Sequence, residues 1–142
     1  MAHPLITVVF PVHPNPNVSK VVRKLLANID GIRLIGPTDY LTFVHLMKSC
    51  HLILTDSGGI QEEGPALGKP VLVLRASTER PEAIESGTVK LVGTQTENIV
   101  DSVFNLLTQK NIYESFSSAK NPYGDGQASE RILDFVAGAL NE

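Results

Sequence analysis

Leu52-Ile-Leu-Thr-Asp-Ser-Gly-Gly-Ile-Gln-Glu-Glu-Gly-Pro-Ala-Leu-Gly-Lys-Pro70 decides how this chain is read. The apolar run Leu52–Leu54 predicts a buried strand that stops at Thr55-Asp56. Ser57-Gly58-Gly59 then makes a tight turn into a short helix, which Gly68 and Pro70 close before a second buried strand, Val71–Leu74. A strand, a Ser-Gly-Gly turn and a helix start together make a place for an anion. The first turn of a helix has free N–H groups, and the helix dipole favours negative charge there. The two glycines let a phosphate approach the backbone with no Cβ in the way. The closing Gly-Lys-Ser/Thr of a Walker loop is absent. On a helix, Glu63 shares a face with Gly59 and leans back toward the N-terminus, within reach of a group just beyond a bound phosphate, such as a ribose hydroxyl. Glu62 lies about 100° round the helix and faces elsewhere. Pro65 removes a backbone donor and is expected to kink or shorten the helix.

Outward from this stretch, apolar runs alternate with amphipathic segments. Strands are predicted at Ile6–Val12, Ile32–Ile35 and Val89–Val92. Helices are predicted at Asn17–Ile29, Thr38–Ser49, Gln95–Leu107, Ile112–Ser118 and Ala128–Leu140, with one helical turn at Pro81–Glu85. Asn17 is placed to cap the first helix, whose apolar stripe is Val18, Val21, Val22, Leu25 and Leu26; Thr38 or Asp39 caps the second. Asn121–Gly126 is a loop. Strands alternating with helices imply an α/β fold with a parallel sheet, in one domain covering residues 1–142. Open parallel sheets bind ligands at the carboxyl ends of their strands. His13, Ser57-Gly58-Gly59 and Thr78-Glu79-Arg80 all follow such ends.

Composition narrows the function classes. A net charge of −3 without a basic patch argues against nucleic acid as a partner. The single cysteine, Cys50, excludes an internal disulfide, fits a reducing cytoplasm and is expected to be an inert buried thiol. Met1-Ala2-His3-Pro4 has no leader character, and no apolar stretch nears the ~20 residues that span a bilayer. The expected localisation is cytoplasmic, with no membrane partner. The four histidines and one cysteine lack metal-ligand spacing.

Several side chains carry two readings. Arg80 is a solvated arginine or a phosphate partner. His13 caps a strand end, or is a site residue held in place by the stiff Pro14-Asn15-Pro16-Asn17 run. Phe43 is core, or is free to stack on a base if Tyr40, Val44 and Met47 carry the core stripe. Asp125, His45 and His51 are structural or solvated.

Six strings together resemble the C-terminal half of the non-hydrolysing UDP-N-acetylglucosamine 2-epimerases. They are Pro11-Val-His-Pro-Asn-Pro-Asn-Val18, Leu54-Thr-Asp-Ser-Gly-Gly-Ile-Gln-Glu-Glu63, Gly68-Lys-Pro-Val-Leu-Val73, Thr78-Glu-Arg-Pro-Glu-Ala83, Gly87-Thr-Val-Lys-Leu-Val-Gly93 and Asn121-Pro-Tyr-Gly-Asp-Gly-Gln127. The resemblance implies a Rossmann-like domain with helices on both faces of its sheet, the UDP-binding half of the two-domain GT-B architecture. It also implies that Ser57, Gly58 and Gly59 contact the pyrophosphate and that Glu63 holds the ribose hydroxyls. Phe43 would stack near uracil, Arg80 would line the phosphate or sugar region, and His13 would lie at the cleft. The implied reaction interconverts UDP-N-acetylglucosamine and UDP-N-acetylmannosamine by elimination and re-addition of UDP, in the service of cell-surface polysaccharide synthesis. No organic cofactor or metal is implied.

The chain departs from the family pattern at its start. The first βα unit, with its Gly-His-Arg-Arg-Glu segment, is not in the sequence. Nor is the N-terminal domain that supplies the acid–base carboxylates, so no catalytic residue is expected in this chain. The expectation is therefore the UDP-holding half of an epimerase, inactive by itself, whose partner is the missing domain or a second copy of the chain. The alternative is a non-catalytic module that binds a nucleotide sugar or a protein partner.

Overall fold

In the computed structural model of the protein, residues 6–140 are described. Met1-Ala2-His3-Pro4, expected to lack leader character, lies outside them. The chain divides into two compact units, Met1–His45 and Leu46–Glu142.

The first unit contains β1 (Val8–Pro11), α1 (Pro16–Leu26), β2 (Ile32–Ile35) and the start of α2 (Tyr40–Ser49). β1 and β2 pair in parallel, with Val8 opposite Ile32 and Pro11 opposite Ile35. The cap of α1 is Asn15, not Asn17: the Asn15 side chain accepts from the Asn17 N–H at 2.9 Å. Pro16 is the reason, because its fixed φ and missing N–H suit the first helical position and start the helix one residue earlier. The helix also ends at Leu26 rather than Ile29, and the chain turns into β2 through Gly31 at φ +85°. No residue of α1 is buried: of its apolar stripe, Val22 and Leu26 are half-buried, and Val18, Val21 and Leu25 are exposed. Asp39 holds the start of α2, accepting from the Thr42 N–H at 2.9 Å and the Thr42 hydroxyl at 2.7 Å. These two bonds lower the pKa of its carboxyl.

The second unit is built on three parallel strands, β3 (Ile53–Thr55), β4 (Val71–Val73) and β5 (Val89–Leu91), in the order β3-β4-β5. Ile53 lies opposite Val71, and Val71 opposite Val89. The described strands thus form two ladders, one of two strands and one of three. The central strand is fully buried and its side chains alternate between two apolar layers. Val71 and Val73 pack with Ala83 and Val89, and with half-buried Ile53, Leu91 and Tyr123. Leu72 faces the other way, packing with Val92 and Leu106 and with half-buried Ile99, Val103, Ile112 and Phe116. The first layer is contributed in part by α4 (Pro81–Glu85), the second by α5 (Thr96–Thr108) and α6 (Lys110–Ser117). Helices therefore cover both faces of this ladder, as the resemblance implied. α4 and α7 (Ala128–Leu140) begin and end where the sequence placed them; α5 starts one residue later and α6 two residues earlier.

The remaining helix, α3 (Gly58–Ala66), lies unusually close to the sheet. A Cβ on Gly64 would sit 2.5 Å from Val71 Cγ2 and 3.1 Å from Ile53 Cδ1. Pro65 does not kink α3 but helps to end it within the next residue. Leu67 N–H closes onto Glu63 and Gly64, Gly68 adopts φ +67°, and Lys69 N–H bonds to the Gly64 carbonyl. Cys50 is half-buried, and its thiol donates to the Met47 carbonyl at 3.0 Å. Burial raises the thiol pKa, with Lys69 acting in the opposite direction.

Gly64→Ala is expected to destabilise the fold by about 1–2 kcal/mol. The overpacking against fully buried Val71 outweighs the gain in helix propensity. A urea midpoint equal to that of the wild type would show that α3 can move off the sheet without loss.

Candidate functional site

At the carboxyl end of β3 the Thr55 hydroxyl accepts from the Ser57 N–H at 3.0 Å, which bends the chain toward α3. Ser57 is extended, at φ −80° and ψ 136°, and precedes the helix, but its hydroxyl makes no capping bond. The amides that open the helix therefore have no side-chain cap from Ser57. Glu63 stands one turn further on. Its Oε1 lies 3.7 Å from where a Cβ on Gly59 would be, so the two positions share a face as the spacing predicts. Its Oε2 is shielded from solvent and has no hydrogen-bond partner. An orphaned carboxylate oxygen of this kind is costly unless a further group completes it.

A second segment meets the helix start. Gln61 is fully buried; its Nε2 donates to the Ser57 carbonyl at 3.2 Å, and its Oε1 accepts from the Thr78 hydroxyl. Thr78 in turn accepts from the Arg80 N–H at 3.1 Å. One buried amide thus ties the βα turn after β3 to the loop after β4. Arg80 donates through Nε to Glu62, and its Nη1 is 3.6 Å from Glu79 Oε1. Glu62 does face away from Glu63, and Arg80 is what it faces. The hydrogen bond that Arg80 donates to Glu62 is the main cause of its raised pKa, so the guanidinium stays charged. Glu79 also pairs with Arg75, 3.0 Å away.

The Asn121–Gly126 loop places Tyr123 against the Val71–Val73 layer, with its hydroxyl shielded from solvent. Burial raises the phenol pKa, the charges of Glu82 and Glu62 add to that, and Arg80 opposes it. Asp125 is structural, as expected: it clamps Arg131 at 3.0 and 2.6 Å, which lowers its pKa. His51 stacks on Tyr113 with ring centroids 4.3 Å apart.

Among the residues singled out from sequence, Ser57, Gly58, Gly59, Glu63 and Arg80 all belong to the second unit. His13 and Phe43 belong to the first. The His13 Nδ1 accepts from the Asn15 N–H at 3.2 Å, which sets its ring at the end of β1. Phe43 is half-buried on α2, as is Val44, while Tyr40 is exposed and Met47 is buried. Gln61 and Tyr123 were given no role of their own, and Thr78 entered only as part of the Thr78-Glu79-Arg80 segment. A polar residue on the sheet-facing side of α3 was the available signal for Gln61. Tyr123 lay inside a matched string but had no assigned role. Among the described residues no group of three His, Cys, Asp or Glu side chains is placed to hold a metal ion. No described helix is long and apolar enough to cross a membrane.

Fold and geometry define an α/β protein of parallel strands whose turn from β3 into α3 has no side-chain cap from Ser57. Comparison with known proteins makes the family specific. The family model for UDP-N-acetylglucosamine 2-epimerase matches residues 1–137, and the chain belongs to this family of isomerases. It is similar to a probable UDP-N-acetylglucosamine 2-epimerase of Ralstonia nicotianae, with 62% identity over 92% of this chain and 35% of the relative. The UDP-N-acetylglucosamine 2-epimerase of Yersinia pestis gives the same identity and the same coverage. Among solved structures, the Neisseria meningitidis enzyme bound to UDP-GlcNAc is 51% identical with a TM-score of 0.87, over 95% of this chain and 37% of that one. The Methanocaldococcus jannaschii enzyme in complex with UDP-GlcNAc and UDP is 37% identical with a TM-score of 0.75, over 92% and 35%. The chain thus spans about a third of the length of the relatives it matches.

Gln61→Met keeps the volume but removes both ends of the tie between Ser57 and Thr78. It is expected to cost about 1–3 kcal/mol, the range for leaving buried polar groups unpaired. An unchanged denaturation midpoint would mean that the tie is dispensable.

Proposed function

We propose that residues 1–142 form one UDP-binding, Rossmann-like domain of a UDP-N-acetylglucosamine 2-epimerase. In this reading the pyrophosphate rests on Ser57, Gly58 and Gly59, and Arg80 neutralises its charge. Glu63 accepts the ribose hydroxyls. Phe43 stacks near uracil and His13 serves the cleft, both on the resemblance. The observation that carries the reading is the Glu63 carboxylate, buried at Oε2 with no partner and one helical turn from the open Ser57–Gly59 start. A vicinal diol brings the O–H donors that such an oxygen lacks.

The chemistry follows from what these groups can hold. Elimination of UDP from the sugar places growing negative charge on the leaving diphosphate. Preorganised amide N–H groups and a guanidinium stabilise charge that develops at that position. The steps that move the C2 proton need carboxylates set on the sugar. Glu62 and Glu79 are already engaged with Arg80 and Arg75, and Glu63 is assigned to the ribose. The acid–base groups are therefore assigned to the part of the family polypeptide that this chain does not span. That part, or a second copy of the chain, is the proposed protein partner, in the cytoplasm and within cell-surface polysaccharide synthesis. The apolar residues Ile132, Leu133, Phe135 and Leu140 of α7 support a protein partner, being more than half exposed.

UDP is expected to bind the isolated chain at high-micromolar to millimolar strength, roughly 4–6 kcal/mol. Gly59→Val should abolish binding. A Cβ at this position meets only Glu63 Oε1, at 3.7 Å, so the first atom of the new side chain has room in the fold while a phosphate on the backbone would not. Calorimetry in which the valine variant binds like the wild type would place the phosphate elsewhere. The chain alone is expected to show no epimerase turnover. Activity should appear when it is mixed with the complementary portion of the Yersinia pestis relative. Turnover by the pure chain, above a Glu63→Ala control, would refute the assignment of the acid–base groups.

A further inference from the structure

We propose that Glu79 is a built-in competitor for the anion site, a carboxylate that an incoming phosphate must displace; this rests on the placement of the pyrophosphate at Ser57–Gly59. A Cβ on Gly58 would stand only 2.6 Å from Glu79 Oε1. Gly58 is the first residue of α3, so the Glu79 oxygen occupies space beside the first turn that a side chain there would need. That is where the helix dipole is positive and where an anion is favoured. Glu79 is held in that place by two cations, Arg75 at 3.0 Å and Arg80 at 3.6 Å. Its side chain is 51% exposed, which leaves it room to swing outward once a stronger anion arrives.

The consequence is a cost that only a charged ligand meets. A ligand carrying phosphate can take the Arg80 guanidinium from Glu79 and reach the helix-start amides beside it, and its hydrogen bonds there are charge-assisted. A ligand without phosphate meets the carboxylate in place and gains nothing by moving it. Arg80 does not swing free in the exchange, because Glu62 holds its Nε from the other side. The Glu62 pair therefore keeps the guanidinium near the helix start while the Glu79 pair is exchanged. Glu79 thus tunes affinity by charge: it weakens ligands that bring an anion to the helix start and leaves the phosphate-free part of the ligand at its own affinity.

The test is NMR titration of the 142-residue chain and its Glu79→Gln variant with UDP and with uridine. Glutamine keeps the size and removes the charge. The expected result is UDP affinity about three- to tenfold tighter in the variant, the order of a partly exposed charge contact, with uridine affinity unchanged. Equal or weaker UDP binding by the variant, with UDP still lost in Gly59→Val, overturns the competitor role and leaves the phosphate site standing. Equal tightening of UDP and uridine also overturns it, since the substitution would then act on shape rather than charge. UDP binding that is indifferent to Gly59→Val overturns the site and the competitor role together.

Discussion

The close approach of α3 to β4 at Gly64 is the constraint on which the second unit depends. With no side chain at Gly64, the helix backbone comes down onto Val71 and Ile53, where a methyl group would have no room. That approach fits with Gln61, one turn earlier on the helix, being fully buried and in reach of both the Ser57 carbonyl and the Thr78 hydroxyl. The helix start and the loop after β4 are then held together by packing at one end and by a buried amide at the other. The turn from β3 into α3 inherits its position from an apolar contact two turns away.

Around that turn, carboxylates outnumber cations. Glu62, Glu63 and Glu79 lie near Arg75 and Arg80, and each arginine is already paired. The pairs are partly exposed, so their contribution to stability is small. Their contribution to the site is geometric: Glu62 holds Arg80 by its Nε while the loop backbone holds it through Thr78. Glu63 is the exception, with one oxygen shielded and unmatched. A fold that keeps such a group without a partner keeps it for something other than stability.

The two strand ladders end differently on their two sides. β5 carries exposed Lys90 and β2 carries exposed Arg33 at their centres, which is how natural outer edges resist further pairing. β3 and β1 carry no charge: Leu54, Val8 and Val9 are 42%, 42% and 44% exposed. Parallel strands are normally covered on both faces and flanked on both sides.

The sequence by itself determined the order and kind of every described element, because hydrophobic period and turn residues act over a few neighbours. Pro81–Glu85 and Ala128–Leu140 were read to the residue. Six matched strings also carried the family. The Asn15 cap was missed because Asn15 and Asn17 flank Pro16 and offer the same side chain; only the backbone path chooses between them. The site was half legible. Gly59 and Glu63 share a face by helical period alone, and the structure places them so. The partners of Arg80, the burial of Gln61, the orphaned oxygen of Glu63 and the shielding of the Tyr123 hydroxyl were decided by tertiary structure. Each depends on segments 17 or 18 residues apart, or further, being brought together by β3, β4 and β5, and no local rule of sequence reaches across that distance.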